Sequence, residues 1–142
     1  MFENKMISAD IIIKTQFYDL DPMEIVWHGN YVRFFEQARC ALLDKLDYNY
    51  QRMSESGFAW PIVDMRIKYV RPLGFPQSVK VIATLAEYEN RLKINYIIQD
   101  IQSSERLTKG YTIQVAVDKR TEEMLFQSPI AFRQKVEEIL CD

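Results

Sequence analysis

The stretch Phe17–Arg39, FYDLDPMEIVWHGNYVRFFEQAR, sets a carboxylate on a turn, the chain's only histidine seven residues later, and a strongly apolar helix directly after it. Asp21 precedes Pro22, and Asp-Pro is a turn initiator. From Tyr31 onward the apolar residues Phe34, Phe35, Ala38, Ala41, Leu42 and Leu46 recur at helical period, with Val32 and Leu43 adding apolar surface off that stripe. A helix this apolar is expected to be buried on most sides. Asn30 is expected as its N-cap. The N–H groups at a helix start are unpaired and can hydrogen-bond developing negative charge, so Asp21 and His28 stand where such help is at hand.

Working outward, Ile11 to Phe17 reads as a β-branched first strand closed by the Asp19-Leu20-Asp21-Pro22 turn signal. Beyond the helix, Tyr50 to Ser56 suggests a short second helix ended by Gly57. The period then changes to two. Val63, Met65, Ile67 and Tyr69 alternate with Asp64, Arg66 and Lys68 until Pro72. Further strands carry Val79, Val81, Ala83 and Leu85, then Leu92, Ile94, Tyr96 and Ile98, then Tyr111, Ile113, Val115 and Val117. Polar turns at Glu89-Asn90 and Ser103-Ser104 separate them, the pattern of an antiparallel meander. Ser128-Pro129 forms a start signal for a C-terminal helix with Ile130, Val136, Ile139 and Leu140. One strand, a buried helix and a run of antiparallel strands make an α+β arrangement, the sheet curled around the helix.

Bulk properties narrow the function. At 142 residues one domain, 1–142, is expected, large enough to bury a core without metals or disulfides. Charged residues make up 27% against 48% hydrophobic, and the net charge of −2 gives no general attraction to nucleic acid. Cys40 and Cys141 are far apart, fit no metal or redox spacing, and suit a reduced, cytoplasmic protein. Glu3, Asn4 and Lys5 break any signal-peptide core, and no apolar run is long enough to span a bilayer. With one histidine and two separated cysteines, no zinc ligand set is expected.

The segment around Asp21 closely resembles the 4-hydroxybenzoyl-CoA thioesterase group of hotdog-fold acyl-CoA thioesterases. That group follows roughly Asp-x-x-Gly-x-Val-x-His-x-x-Tyr, running into a helix with Phe-x-Glu-x-x-Arg. The matching positions are Asp21, Val26, His28, Tyr31, Phe34, Glu36 and Arg39, and Glu24 departs from the Gly position. Among the α+β folds that periodicity allows, the resemblance selects the hotdog, an antiparallel sheet around a long central helix. It implies hydrolysis of an acyl- or aryl-CoA thioester to a carboxylic acid and free CoA, with no metal or redox cofactor. It also implies a homodimer or homotetramer. The alternation in Ile11–Phe17 and Leu92–Ile98 leaves sheet edges without evident charged protection, which points the same way.

By residue, the resemblance places Asp21 on the family's catalytic carboxylate. There it attacks the thioester carbonyl itself or deprotonates the attacking water. His28 falls on a residue that orients or polarises the substrate. CoA carries a pyrophosphate and a 3′-phosphate, so basic groups are needed near the pocket's outer end. The candidates are Lys68 and Arg71 around Tyr69, and Arg91 and Lys93 after the Glu89-Asn90 turn, where the family places a nucleotide-binding hairpin. Two alternatives stay open. The hydratase and dehydratase strings Asp-x-Asn-Pro-x-His and His-x-Phe-Pro-Gly do not occur, and a non-catalytic acyl-binding hotdog is the other, because fold does not fix activity.

Overall fold

The structure, a computed structural model, describes residues 6–141. Its strands are β1 (Ser8–Lys14), β2 (Phe58–Ala59), β3 (Ile62–Tyr69), β4 (Ser78–Glu87), β5 (Leu92–Asp100), β6 (Arg106–Gln114) and β7 (Val117–Asp118). The helices are α1 (Asn30–Lys45), α2 (Tyr50–Glu55) and α3 (Ile130–Leu140). Five strands form one antiparallel sheet in the order β1-β4-β5-β6-β3, and β2 pairs with β7 separately. No helix among the described residues is long and apolar enough to cross a membrane.

Helix α1 lies across the sheet because its stripe meets the inward side chains of the central strands. Tyr31, Phe34, Phe35, Ala38, Leu42 and Leu43 are buried there, with Val79, Val81 and Ala83 of β4 and Leu92, Ile94, Tyr96 and Ile98 of β5 beneath them. The Phe35 ring stacks flat on Tyr96, 4.3 Å between centroids. Gly110 of β6 makes that stack possible. A Cβ there would sit 2.6 Å from the Phe35 ring and 2.5 Å from the Arg66 carbonyl oxygen.

Several details differ from the sequence reading. The first strand ends at Lys14, and Phe17 to Asp19 form a short 3-10 turn instead. Gly29, not Asn30, is the N-cap of α1; Asn30 turns its amide back to the Asp19 carbonyl. The strand expected over Tyr111–Val117 is Arg106–Gln114, and its helix-facing residues are Thr108, Gly110, Thr112 and Gln114, directly opposite Ile98, Tyr96, Ile94 and Leu92. The flat aromatic stack fills the space above β6, so small and hydroxyl side chains fit there, and the Thr112 hydroxyl bonds the Tyr96 phenol at 2.7 Å. Tyr111 faces the other side, donating to the Asp64 carboxylate. Strand β5, expected among the exposed edges, is central; the edges are β1 and β3.

The periphery extends the same core beyond the sheet. Asn49 caps α2 by accepting the Arg52 N–H at 3.0 Å, and Gly57 ends it at φ +92°. In α3 the buried residues are Phe132 and Val136, and Ile130 is exposed. Phe132 packs on Tyr48 and Trp60, at 5.3 and 5.2 Å. Glu36 and Arg39 approach within 3.6 Å, yet the buried Arg39 makes its shorter bond to the Tyr50 phenol at 2.7 Å.

Candidate active site

The loop between the 3-10 turn and α1 is a tight, internally bonded structure. The Asp21 N–H donates to the Ile25 carbonyl at 2.8 Å, the Glu24 N–H to the Asp21 carbonyl at 2.9 Å, and Leu20 bridges Val26. Closing it requires Glu24 at φ +65°, a left-handed conformation that glycine takes freely and other residues adopt at roughly 1–2 kcal/mol. Glu24 therefore takes the backbone conformation open to the glycine it stands in for, and the turn closes.

Asp21 is half-buried at the rim of a pocket of about 330 Å³. Its Oδ1 accepts the Met23 N–H at 2.8 Å, and its Oδ2 has no protein partner among the described residues. His28 lines the same pocket, with Val26, Tyr31, Tyr69 and Pro72 as walls. The chain thus brings its two sequence-identified catalytic candidates to one place. Between them and α1, the N–H groups of His28 and Gly29 meet no acceptor among the described residues, while Asn30 donates back to Trp27 at 2.9 Å. Unpaired donors at a helix start carry the positive end of the helix dipole and can hold an oxyanion.

Tyr69 is the wall residue that the sequence reading left as an ordinary strand position. Its phenol donates to the His28 carbonyl at 3.0 Å, and its ring stands edge-on to Tyr31, 4.8 Å away. Tyr31 in turn accepts the Leu73 N–H at 3.3 Å, and Leu73 takes the Val26 N–H at 2.9 Å. Burial pushes both phenols above their ordinary pKa, so both remain neutral hydrogen-bonding groups at neutral pH. The signal available in sequence was the alternation itself, which puts Tyr69 on the face of β3 that looks toward α1.

The four basic candidates do not converge. Arg71 stands just past Tyr69, beside the pocket wall, ion-paired with Glu105 at 2.9 Å. Lys68 points to the opposite face, across from Lys109. Arg91 is held by Glu87, whose carboxyl it keeps below the usual range, and the Lys93 ammonium sits 4.8 Å over the Tyr111 ring. These last two lie where Leu92 aligns with Gln114 and Ile62, whereas the pocket lies where Ile98 aligns with Thr108 and Tyr69. Seven residues of strand separate those ends of β3, about 23 Å at ~3.3 Å per residue.

The fold is that of a hotdog, with a carboxylate, unpaired helix-start donors and aromatic walls gathered at one pocket. The chain belongs to the Thioesterase-like superfamily, whose family model matches residues 15–139. It is 30% identical over 123 residues to the Bacillus subtilis (strain 168) protein named "Putative acyl-CoA thioesterase YneP", covering 86% of this chain and 85% of that one. Among solved structures it resembles a DHNA-CoA thioesterase from Staphylococcus aureus (TM-score 0.82, 23% identity, 94% and 91% of the two chains). It also resembles a 1,4-dihydroxy-2-naphthoyl-CoA thioesterase from Synechocystis (TM-score 0.80, 19% identity, 95% and 96%). These likenesses establish the hotdog fold.

Proposed function

We propose that this protein hydrolyses acyl-CoA or aryl-CoA thioesters, with Asp21 as the reacting carboxylate. The observation that carries the reading is that one pocket is lined by both Asp21, whose Oδ2 has no protein partner, and His28, whose N–H at the start of α1 is unpaired among the described residues. The thioester carbonyl seats with its oxygen toward the His28 and Gly29 N–H groups. Asp21 adds to the carbonyl carbon, or takes a proton from the water that does. The tetrahedral centre collapses, the C–S bond breaks, and CoA leaves as thiolate and takes up a proton; in the nucleophilic route water then cleaves the acyl-Asp21 anhydride. His28 contributes through its backbone donor and through its ring beside the pocket, with Tyr69 holding its carbonyl.

The working unit is a homodimer formed through β3, or a tetramer built from it. Among the described residues this edge strand has no neighbour on its outer side, its helix-facing Met65 is 39% exposed, and Val63 at its bulge is 56% exposed. A two-fold, antiparallel pairing of β3 strands carries the hairpin end of one subunit toward the pocket end of the other. Arg91 and Lys93 of the partner subunit then join Lys68 and Arg71 as the candidates for the CoA phosphates.

Thiol release from a panel of acyl-CoAs tests the reading. Asp21→Asn is expected to fold normally and to lose kcat by roughly 10²-fold or more. His28→Ala keeps the backbone donor and is expected to lose less. Wild-type turnover by a folded Asp21→Asn protein rules the mechanism out, and thioester binding without release would mark the chain as a non-catalytic acyl-binding hotdog.

A further inference from the structure

Two aspartates two residues apart stand in opposite surroundings. Asp21 keeps an oxygen free, whereas the Asp19 side chain is 2% exposed and fully engaged. Its Oδ1 accepts Arg33 Nη2 at 2.7 Å and its Oδ2 accepts the Gln16 N–H at 2.8 Å. Its backbone carbonyl accepts two more donors, the Trp27 N–H and the Asn30 amide, both at 2.9 Å. Arg33 closes the ring by donating to Asn30 Oδ1 at 3.1 Å.

The positions of these partners give the network its meaning. Asp19 and Trp27 bracket the turn that carries Asp21. Asn30 and Arg33 are the first turn of α1, and the unpaired His28 and Gly29 N–H groups lie between Trp27 and Asn30. The carboxylate and the oxyanion donors therefore hang from one residue, Asp19. We propose that Asp19 and Arg33 are positioning residues that fix the distance between the Asp21 carboxylate and the helix-start donors, an inference resting on the role assigned to Asp21 above. Catalytic geometry is sensitive at this scale, since a displacement of about 1 Å can cost about 10²-fold in rate. The pair is weak evidence of net stabilisation, because a buried carboxylate loses its hydration. Removing Arg33 leaves that carboxylate without its counter-charge, so local and global effects must be read apart. Arg33 is half-exposed, so shortening it leaves no cavity.

Arg33→Ala, measured by thiol release, is expected to lower kcat by about 10- to 100-fold with KM changed less than about 3-fold. Both Arg33 bonds run from the single nitrogen Nη2, so Arg33→Lys, which keeps the charge on one nitrogen but on a differently shaped, shorter-reaching head, is expected to recover part of that loss. Amide hydrogen exchange gives a readout independent of turnover: the Asp21 and Trp27 amides should exchange faster in Arg33→Ala, with Ile94, Tyr96 and Ile98 unchanged. Arg33→Ala with wild-type kcat beside an inactive Asp21→Asn overturns the positioning role and leaves the thioesterase reading standing. Exchange accelerated equally across the sheet assigns the pair to global stability and overturns it too. A fully active Asp21→Asn removes both readings together.

Discussion

The sheet has a covered region and an open one, built from the same alternating sequence pattern. Under α1, Ile94 of β5 is 0% exposed; on β3, two strands away, Met65 faces the same side and is 39% exposed. The difference is not in the strands but in what lies over them. Helix α1 is sixteen residues long and spends its stripe on β1, β4 and β5, with Phe35 reaching β6 only because Gly110 leaves room. The open region, β3 together with the loop over Tyr69, is where the pocket sits. The proposed chemistry thus falls in the part of the molecule that its own core does not finish.

The sharpest way to break this comparison is to make the same change on both sides. Ile94→Ala removes buried methylenes in a region that cannot collapse and is expected to cost about 3–4 kcal/mol in urea denaturation. Met65→Ala in an isolated subunit is expected to cost less than about 1 kcal/mol, because much of that side chain is already in water. If β3 pairs with a second subunit, the two regions converge in one respect. The wild-type midpoint then rises with protein concentration, and Met65→Asp removes that dependence. A midpoint independent of concentration in the wild type, with a monomer by light scattering, would leave β3 open in the working enzyme.

Gly110→Ala probes the border between the regions, and its effect is expected to be smaller. The added methyl meets the Arg66 carbonyl at 2.5 Å on one side and the Phe35 ring at 2.6 Å on the other. The ring can swing aside, but the Arg66 carbonyl is backbone, so the pairing of β3 with β6 must shift as well. Overpacking of this kind costs about 1–3 kcal/mol, or a melting point lower by several degrees at roughly 2–4 °C per kcal/mol. An unchanged melting point would show that Phe35 repacks freely and that the Tyr96 stack does not set the limit of the covered region.

The same contrast explains what the chain disclosed in advance. In β4 and β5 alternation matched burial, because a helix covers one face and the strands lie inside the sheet. It failed at β6, where the residues facing α1 are Thr108, Gly110, Thr112 and Gln114. Close packing of Phe35 on Tyr96 demands Gly110 and suits Thr112, while Gln114 is buried by its amide bond to the Trp60 carbonyl, and no hydrophobicity pattern registers either demand. Asp21 and His28 were legible through their spacing and resemblance, and they do share a pocket. Asp19 and Arg33 were not, because a buried carboxylate with a distant partner leaves no periodic trace. The separation of Arg91 and Lys93 from the pocket follows from strand length and register, which sequence leaves free.

The smallest expected effect belongs to Glu24, on the open side. Its backbone at φ +65° carries strain, and its side chain is exposed and makes no hydrogen bond among the described residues. Glu24→Gly removes a left-handed penalty of roughly 1 kcal/mol, but glycine also gains freedom in the unfolded chain worth about 0.5–1 kcal/mol. The two nearly cancel, so stability should move by less than about 0.5 kcal/mol, with kcat unchanged because the Asp21–Ile25 and Glu24–Asp21 bonds persist. Glu24→Pro makes the opposite test, since proline fixes φ near −65° and lacks the N–H that donates to the Asp21 carbonyl. That variant should lose turnover by about 10-fold or more through a displaced Asp21 carboxylate, with the core still protected from exchange. Equal activity in the glycine and proline variants would mean that the shape of this turn is irrelevant to the chemistry. Asp21 would then have to reach the thioester by some route other than the loop geometry described above.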